Sequence, residues 1–425
     1  MKPVWKFFYT YVFLPLLWAA IRLLGLFKRK VRRAIRGRRR LFRLLESQVA
    51  RKLQPGKRIW FHASSLGEFE QAKPIIAELK RRYPEVRIIV TFFSPSGYEH
   101  SRRYPLADVV SYLPFDTPRN ARRFLDLTKP DCAVIIRYDV WPNHLWELQR
   151  RSIPVLMANA TMRPDTGRRV PLVRQFHRHV YNAINRILTV SKEDAEAFKM
   201  FRLNGPAIEP IGDTRYDQVS IRSAEAQKRH LMNDAIVYGK KVIVAGSSWP
   251  EDEEVLLPAI RKLQERYDNL LLIIVPHEPT VEHLEELETD VQPIPSIRFS
   301  SLNDYRGERV IVVDSIGILM ALYKYAHVAY IGGGFKQNVH NVLEAAVYGI
   351  PVIYGPRHRN SQEAVTLAQR GGGFVVENAD MLYETLGTLL SNEQLRLQAG
   401  HAAGEFVRQN VGATERFLKH LETYL

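Results

Sequence analysis

Arg58-Ile59-Trp60-Phe61-His62-Ala63-Ser64-Ser65-Leu66-Gly67-Glu68-Phe69-Glu70 joins a short apolar run to a polar turn and then to a mixed-charge stretch. The run at 58–62 predicts a strand. The stretch at 70–82, with Ile75, Ile76 and Leu79 at helical spacing, predicts a helix. A strand that passes through a glycine-bearing turn into a helix is the repeating half of a βαβ unit.

The same strand–turn–helix cycle recurs along the chain. Apolar runs at 86–93, 132–136, 154–158 and 186–190 read as strands with helical material between them. A second series follows Gly212-Asp213-Thr214-Arg215-Tyr216-Asp217, with strands at 241–245, 270–275, 310–313, 328–331 and 351–354 and helices at 253–266 and 341–348. Alternation of this kind predicts an α/β chain with two largely parallel sheets, in two Rossmann-like domains facing each other across a cleft. The expected divisions are 1–45, 46–215 and 216–425.

The first of these segments differs from the rest. The chain has 425 residues and a formal net charge of +16, with 61 Lys and Arg against 45 Asp and Glu. Thirteen of those basic residues and no acid lie between Met1 and Arg43, so the remainder is nearly neutral. A nucleic-acid binder would spread its basic residues over the folded domains, with aromatics among them. Here the excess follows an uncharged run, residues 7–21, extended past Arg22 by 23–27. About twenty residues cross a bilayer core, so this segment either spans or lies among the head groups. Trp5, Phe7, Phe8, Tyr9 and Tyr11 suit an interfacial belt. The basic residues 28–43 favour anionic lipid and a cytoplasmic location for the bulk of the chain. A cleaved signal peptide fits poorly, because the heaviest charge follows the apolar part. The single cysteine, Cys132, sits in an apolar run and reads as a core residue.

Every polar constellation falls at the carboxyl end of an expected strand, where parallel sheets collect ligands. In Ser64-Ser65-Leu66-Gly67-Glu68, Ser65 and Glu68 have the spacing of a helix capping box, and Gly67 permits close approach. The same Glu68 can act as a general base. Arg137, Asp139 and Asn143 follow another strand, either lining an acceptor site or closing a loop with an ion pair. In the second half, Ser247, Ser248, Pro276 and His277 follow two strands and can face a phosphate or a nucleobase. Gly332, Gly333 and Gly334 offer backbone amides to an anion, and the helix expected after them adds its positive end. Asn341 would hold that loop, and Glu344, in an otherwise apolar run, can accept from ribose hydroxyls. The spacing lacks the later glycine of a dinucleotide fingerprint, and no metal-binding pair, phosphate loop or nucleophile elbow is present. No metal and no cofactor are expected.

Together these segments resemble the 3-deoxy-D-manno-octulosonic acid (Kdo) transferases of Gram-negative bacteria. The resemblance is carried by Phe61-His62-Ala63-Ser64-Ser65-Leu66-Gly67-Glu68, Thr91-Phe92-Phe93-Ser94-Pro95-Ser96-Gly97, Trp141-Pro142-Asn143, Gly212-Asp213-Thr214-Arg215, Pro276-His277 and the run from Gly332 to Pro356. It implies a GT-B fold with an acceptor-binding first domain and a nucleotide-binding second one. It implies CMP-Kdo as donor, and as acceptor the phosphorylated diglucosamine precursor of lipid A (lipid IVA), met at the cytoplasmic face of the inner membrane. Glu68 takes the place of the family's proposed base, with Ser65, Gly67, Arg137, Asp139 and Asn143 on the acceptor side. Ser247, Ser248, Pro276, His277, Gly332, Gly333, Gly334, Asn341 and Glu344 take the donor side. Two departures stand out: Arg137-Tyr138-Asp139 replaces a Glu-Thr-Glu segment, and His277 stands where many relatives have Arg. Rival readings are another GT-B nucleotide-sugar transferase or epimerase, and a membrane-tethered binding protein without catalysis.

Overall fold

The run at 58–62 extends by one residue into strand β1 (Arg58–Ala63), with Ile59, Trp60, Phe61, His62 and Ala63 all buried. Burial on both faces is what a central parallel strand requires, and it explains an apolar run without alternation. The computed structural model describes residues 2–162 and 166–425. Beside β1 lie β2 (Arg87–Phe92), β3 (Val109–Tyr112), β4 (Cys132–Ile136), β5 (Val155–Ala160), β6 (Arg186–Thr189) and β7 (Ala207–Pro210). They form one sheet in the order β3-β2-β1-β4-β5-β6-β7, with every pair parallel. The chain therefore winds outward from β1 to β3, returns to place β4 against β1, and winds the other way. That reversal opens a crevice at the carboxyl ends of β1 and β4. Cys132 is buried at the start of β4.

The second sheet repeats the plan with β8 (Lys241–Ser248), β9 (Leu270–Pro276), β10 (Ser296–Arg298), β11 (Val310–Val312), β12 (Val328–Ile331), β13 (Val352–Tyr354) and β14 (Gly373–Val375). Its order is β10-β11-β9-β8-β12-β13-β14, again all parallel, with the reversal between β8 and β12.

The chain divides into two units: residues up to Gln218 together with Val411–Leu425, and Val219–Asn410. Residues 411–425, expected in the second domain, thus belong with the first. The reason is local. Helix Ala413–Leu421 buries Phe417, Leu418 and Leu421 in the core beneath helix Leu66–Arg82. Asp217 accepts from the amides of Gly412 (2.5 Å) and Thr414 (2.7 Å) and from the Thr414 hydroxyl (2.8 Å), capping the start of that helix.

Among the described residues one helical stretch, Val4–Phe27, is long and apolar enough to cross a membrane. It carries a π-helical segment at Phe8–Phe13, and that irregularity turns Tyr9 inward. The Tyr9 hydroxyl donates to Asp116 (2.8 Å), its ring packs on Trp146 and Phe176, and Thr10 donates to Asn143 (3.2 Å). Val4, Phe7, Phe8, Tyr11, Leu16 and Trp18 remain exposed. After Lys28 the chain doubles back as helix Arg29–Arg38, so close that a Cβ on Gly25 would meet Ile35 Cδ1 at 2.7 Å.

Part of the basic stretch at 28–43 is engaged by the protein itself. The Arg38 guanidinium lies between the rings of Phe93 (4.6 Å) and Tyr112 (4.9 Å) and donates to the carbonyls of Phe93, Leu113 and Ala34. Burial lowers its pKa to about 10. Tyr9→Phe keeps the packing but removes a hydrogen bond to a buried carboxylate, at a cost of about 2 kcal/mol. Amide exchange over residues 4–14 should then quicken by about thirtyfold.

Candidate active site

In the first unit the crevice between β1 and β4 collects most of the polar residues expected there, Glu68 and Asp139 among them. Helix Leu66–Arg82 begins directly after β1, so Glu68 sits in its first turn. One carboxylate oxygen accepts from the amides of Ser64 (2.5 Å) and Ser65 (3.2 Å). The capping role is therefore real. The other oxygen is left for further chemistry, and Glu68 is only half-buried. Burial raises its pKa, and the Asp139 charge adds to the rise. Beside it, Gly67 is exposed, and a Cβ placed there would meet nothing within 4 Å. The space over this turn is open.

Parallel pairing of β1 with β4 brings in a partner that spacing alone does not reveal. His62, at 2% exposure, holds Asp139 Oδ2 through Nε2 (3.0 Å), with its Nδ1 at the Thr91 hydroxyl (2.9 Å). Trp141 Nε1 donates to the same Asp139 oxygen (3.1 Å). Burial pushes the Asp139 carboxyl up, but hydrogen bonds from His62, Ser64 and Trp141 outweigh it and hold the group below its ordinary value. Two neighbouring carboxyls are thus driven apart, one up and one down, the pattern of a proton-accepting group beside a fixed charge.

Arg137, between β4 and Asp139, has a left-handed backbone (φ 66°) and lies 5.6 Å from the Tyr138 ring. Asn143 is withdrawn from this crevice. It is 3% exposed, and its amide donates to the Asp116 carbonyl (2.7 Å) while its oxygen accepts from Thr10. Asp116, not singled out from sequence, is the hub there, accepting also from the His144 amide and Nδ1.

In the second unit the crevice between β8 and β12 is built differently from the expected phosphate cradle. Gly332 N donates to the Gly246 carbonyl (2.9 Å), and Gly333 N to Asp252 (2.7 Å). Phe335 N (3.3 Å), Trp249 N (3.1 Å) and the Tyr330 hydroxyl (3.1 Å) also donate to Asp252, which is fully buried. A carboxylate of the protein occupies the place predicted for an anion. The glycines answer a packing demand instead: a Cβ on Gly332 would lie 2.2 Å from the Ser247 carbonyl oxygen, and one on Gly334 would lie 2.5 Å from Gly355 N. Ser248 is likewise internal, donating to Glu253 (2.7 Å), and Pro276 is buried at the end of β9. The helix expected at 341–348 is one turn, Leu343–Ala346, too short for a strong N-terminal potential.

What this crevice does present is a stack of flat rings. His277 is exposed and lies 4.4 Å from His340 at 15°, and 4.7 Å from Trp249. Trp249 Nε1 donates to His340 Nε2 (2.9 Å), and Lys336 Nζ sits 3.9 Å from the Trp249 ring centre. Asn341 donates to Glu344 (3.3 Å), which also faces Arg222 at 3.5 Å. Ser247 adopts a left-handed backbone (φ 55°) at the end of β8.

Burial, then the His277 charge, lowers the His340 pKa from 6.5 to about 4. An unfolded chain therefore binds this proton first, and stability should fall as pH drops from 6.5 towards 4. Urea unfolding at pH 7 and pH 5 checks this. His340→Gln, which keeps an acceptor for Trp249, should lose less on acidification than the parent.

Two doubly wound parallel units, each with its polar cluster at the point where strand order reverses, are the architecture of the GT-B fold. Known structures agree on the fold. UDP-GlcNAc 2-epimerase from Neisseria meningitidis is similar with a TM-score of 0.59 at 15% identity, covering 86% of this chain and all of its own. MurG from Acinetobacter baumannii is similar with a TM-score of 0.56 at 13% identity, covering 87% of this chain and all of its own.

Residues 35–218 match the family model of 3-deoxy-D-manno-octulosonic-acid transferase (kdotransferase). The 3-deoxy-D-manno-octulosonic acid transferase of Aquifex aeolicus is 30% identical over 78% of this chain and 86% of its own length. That of Haemophilus influenzae is 28% identical over 99% of both chains. The chain belongs to the 3-deoxy-D-manno-octulosonic acid transferase family and is a glycosyltransferase.

Proposed function

We propose that this chain transfers Kdo from CMP-Kdo to the phosphorylated diglucosamine precursor of lipid A, with Glu68 as general base. The observation that carries the reading is Glu68 itself: half-buried at the strand reversal of the first unit, raised in pKa, with an unobstructed space above Gly67. In a single displacement, the acceptor hydroxyl gives its proton to Glu68 as its oxygen bonds to the anomeric carbon, and CMP leaves with the electrons of the broken bond. Asp139, held charged by His62 and Trp141, keeps the Glu68 carboxylate basic. The acceptor side comprises Ser65, Gly67, Arg137 and Asp139. Asn143 contributes only through the loop it ties down.

On the donor side, His277 with the ring stack behind it offers a face for cytosine. Asn341 and Glu344 suit the ribose hydroxyls, and Ser247 and Lys336 suit the phosphate. In the full-length protein CMP should raise the unfolding temperature, and UDP at equal concentration should not. Stabilisation by UDP alone would favour a UDP-sugar enzyme on the same fold.

The apolar outer face of Val4–Phe27 supports attachment to an anionic membrane on its cytoplasmic side. Docking of Tyr9 and Thr10 on the first unit favours a helix lying along the surface over one that crosses.

Because the base works deprotonated, kcat/KM should fall on acidification through a pKa above the ordinary 4.5 of a glutamate. Asp139→Asn removes a neighbouring negative charge, so this acid limb should move to lower pH. A pH–rate profile of both proteins measures the shift, and an unmoved limb would separate Glu68 from Asp139.

A further inference from the structure

The helix pair formed by Val4–Phe27 and Arg29–Arg38 borders an open-sided cavity of about 410 Å³ against the loop after β2. That volume is in the range of ligand pockets, about 300–1,000 Å³. Its walls include Trp18, Ile21, Val31, Ala34, Phe93 and Phe115, and among the described residues none that lines it is acidic. Four cations line it: Arg22, Lys30, Arg38 and Arg39. An apolar hollow ringed by cations alone matches a ligand with a hydrocarbon part and an anionic head.

The wall of the cavity also adjoins the candidate active site. Its wall residue Phe93 stacks on Trp141 at 4.5 Å, and Trp141 donates to Asp139. Ser94, which also lines it, donates its amide to the Ser64 carbonyl (2.8 Å), and Ser64 in turn donates to Glu68. On its other side, the helix that forms one wall carries the exposed Leu23, Leu24 and Phe27. A chain entering from lipid would have an apolar path.

Resting on the acceptor reading above, we infer that this cavity takes one fatty acyl chain of the phosphorylated glycolipid acceptor, with Arg22, Lys30 and Arg39 facing its phosphate. Seating the chain here fixes the sugar head over Glu68 and selects acylated acceptors over soluble ones.

The test is photolabelling of the full-length protein in detergent by tetra-acylated diglucosamine bisphosphate bearing a diazirine on an acyl chain. Adducts are expected within residues 18–22, 31–35 and 93–95. They should fall at least tenfold with excess unlabelled acceptor and persist with excess phosphatidylglycerol. Ala34→Trp, which fills the cavity, should cut the labelling tenfold. It should lower kcat/KM for the acylated acceptor at least tenfold more than for its deacylated form. Val31→Phe serves as a second, milder filling variant should the first fail to fold. Adducts elsewhere, equal displacement by phosphatidylglycerol, or equal losses on both acceptors would overturn the inference. Transfer intact with adducts elsewhere removes this site alone. Adducts as expected without transfer uphold the site and remove the reaction.

Discussion

Glu68→Gln should lower kcat by about 10²–10⁴-fold while leaving the folded state nearly as stable as before. The two effects separate because Glu68 has two tasks. As a cap it accepts hydrogen bonds from the Ser64 and Ser65 amides, and the Gln carbonyl oxygen can accept the same bonds. As a base it must take a proton, which an amide cannot. Glu68→Ala would mix the two losses, since removing a cap costs about 1 kcal/mol. A Gln variant with unchanged turnover and a normal urea midpoint would remove Glu68 from the chemistry and leave it a cap.

Asp252→Ala should destabilise the chain by about 3–5 kcal/mol, the largest effect expected of a side chain that contacts no ligand. Four donors converge on this fully buried carboxylate: the amides of Trp249, Gly333 and Phe335, and the Tyr330 hydroxyl. Each buried donor left unmatched costs about 1–3 kcal/mol, and water entering the space would recover part of that. The Trp249–His277–His340 stack hangs from the same loops, so CMP binding should weaken with it. Asp252→Asn keeps one accepting oxygen and should lose less. Urea unfolding measures both variants; a loss under about 1 kcal/mol for the Ala variant would mean that the loop is organised by its glycine packing alone.

The long central strands were legible because burial on both faces leaves unbroken runs of Val, Ile and Leu, as at 270–275. The edges were not. Strands β3, β7, β10 and β14 have three or four residues each, and β7, β10 and β14 lack the fully buried apolar run that marks the equally short β11, β12 and β13. Glu68 and Asp139 were visible because each follows a readable strand. His62 was read only as a strand residue and as part of a family segment, because its tie to Asp139 depends on β1 pairing with β4 across 77 positions. Asp252 hid in Glu251-Asp252-Glu253-Glu254, which reads as a solvated acidic helix start. The glycine triplet was read for phosphate, whereas close backbone crossing with Ser247 and Gly355 accounts for two of its three members. Spacing reports which residues need small size or polarity. It does not report whether the neighbour that imposes the need is a ligand or the chain itself.

Mass spectrometry of the acceptor would detect the transfer reaction itself. Full-length protein in detergent would be given CMP-Kdo and the tetra-acylated lipid A precursor, beside the Glu68→Gln variant. A mass gain of one or more Kdo units is expected with the parent protein, and little or none with the variant over the same time. No gain with the parent, under conditions where another Kdo transferase acts, would contradict the proposed donor and acceptor.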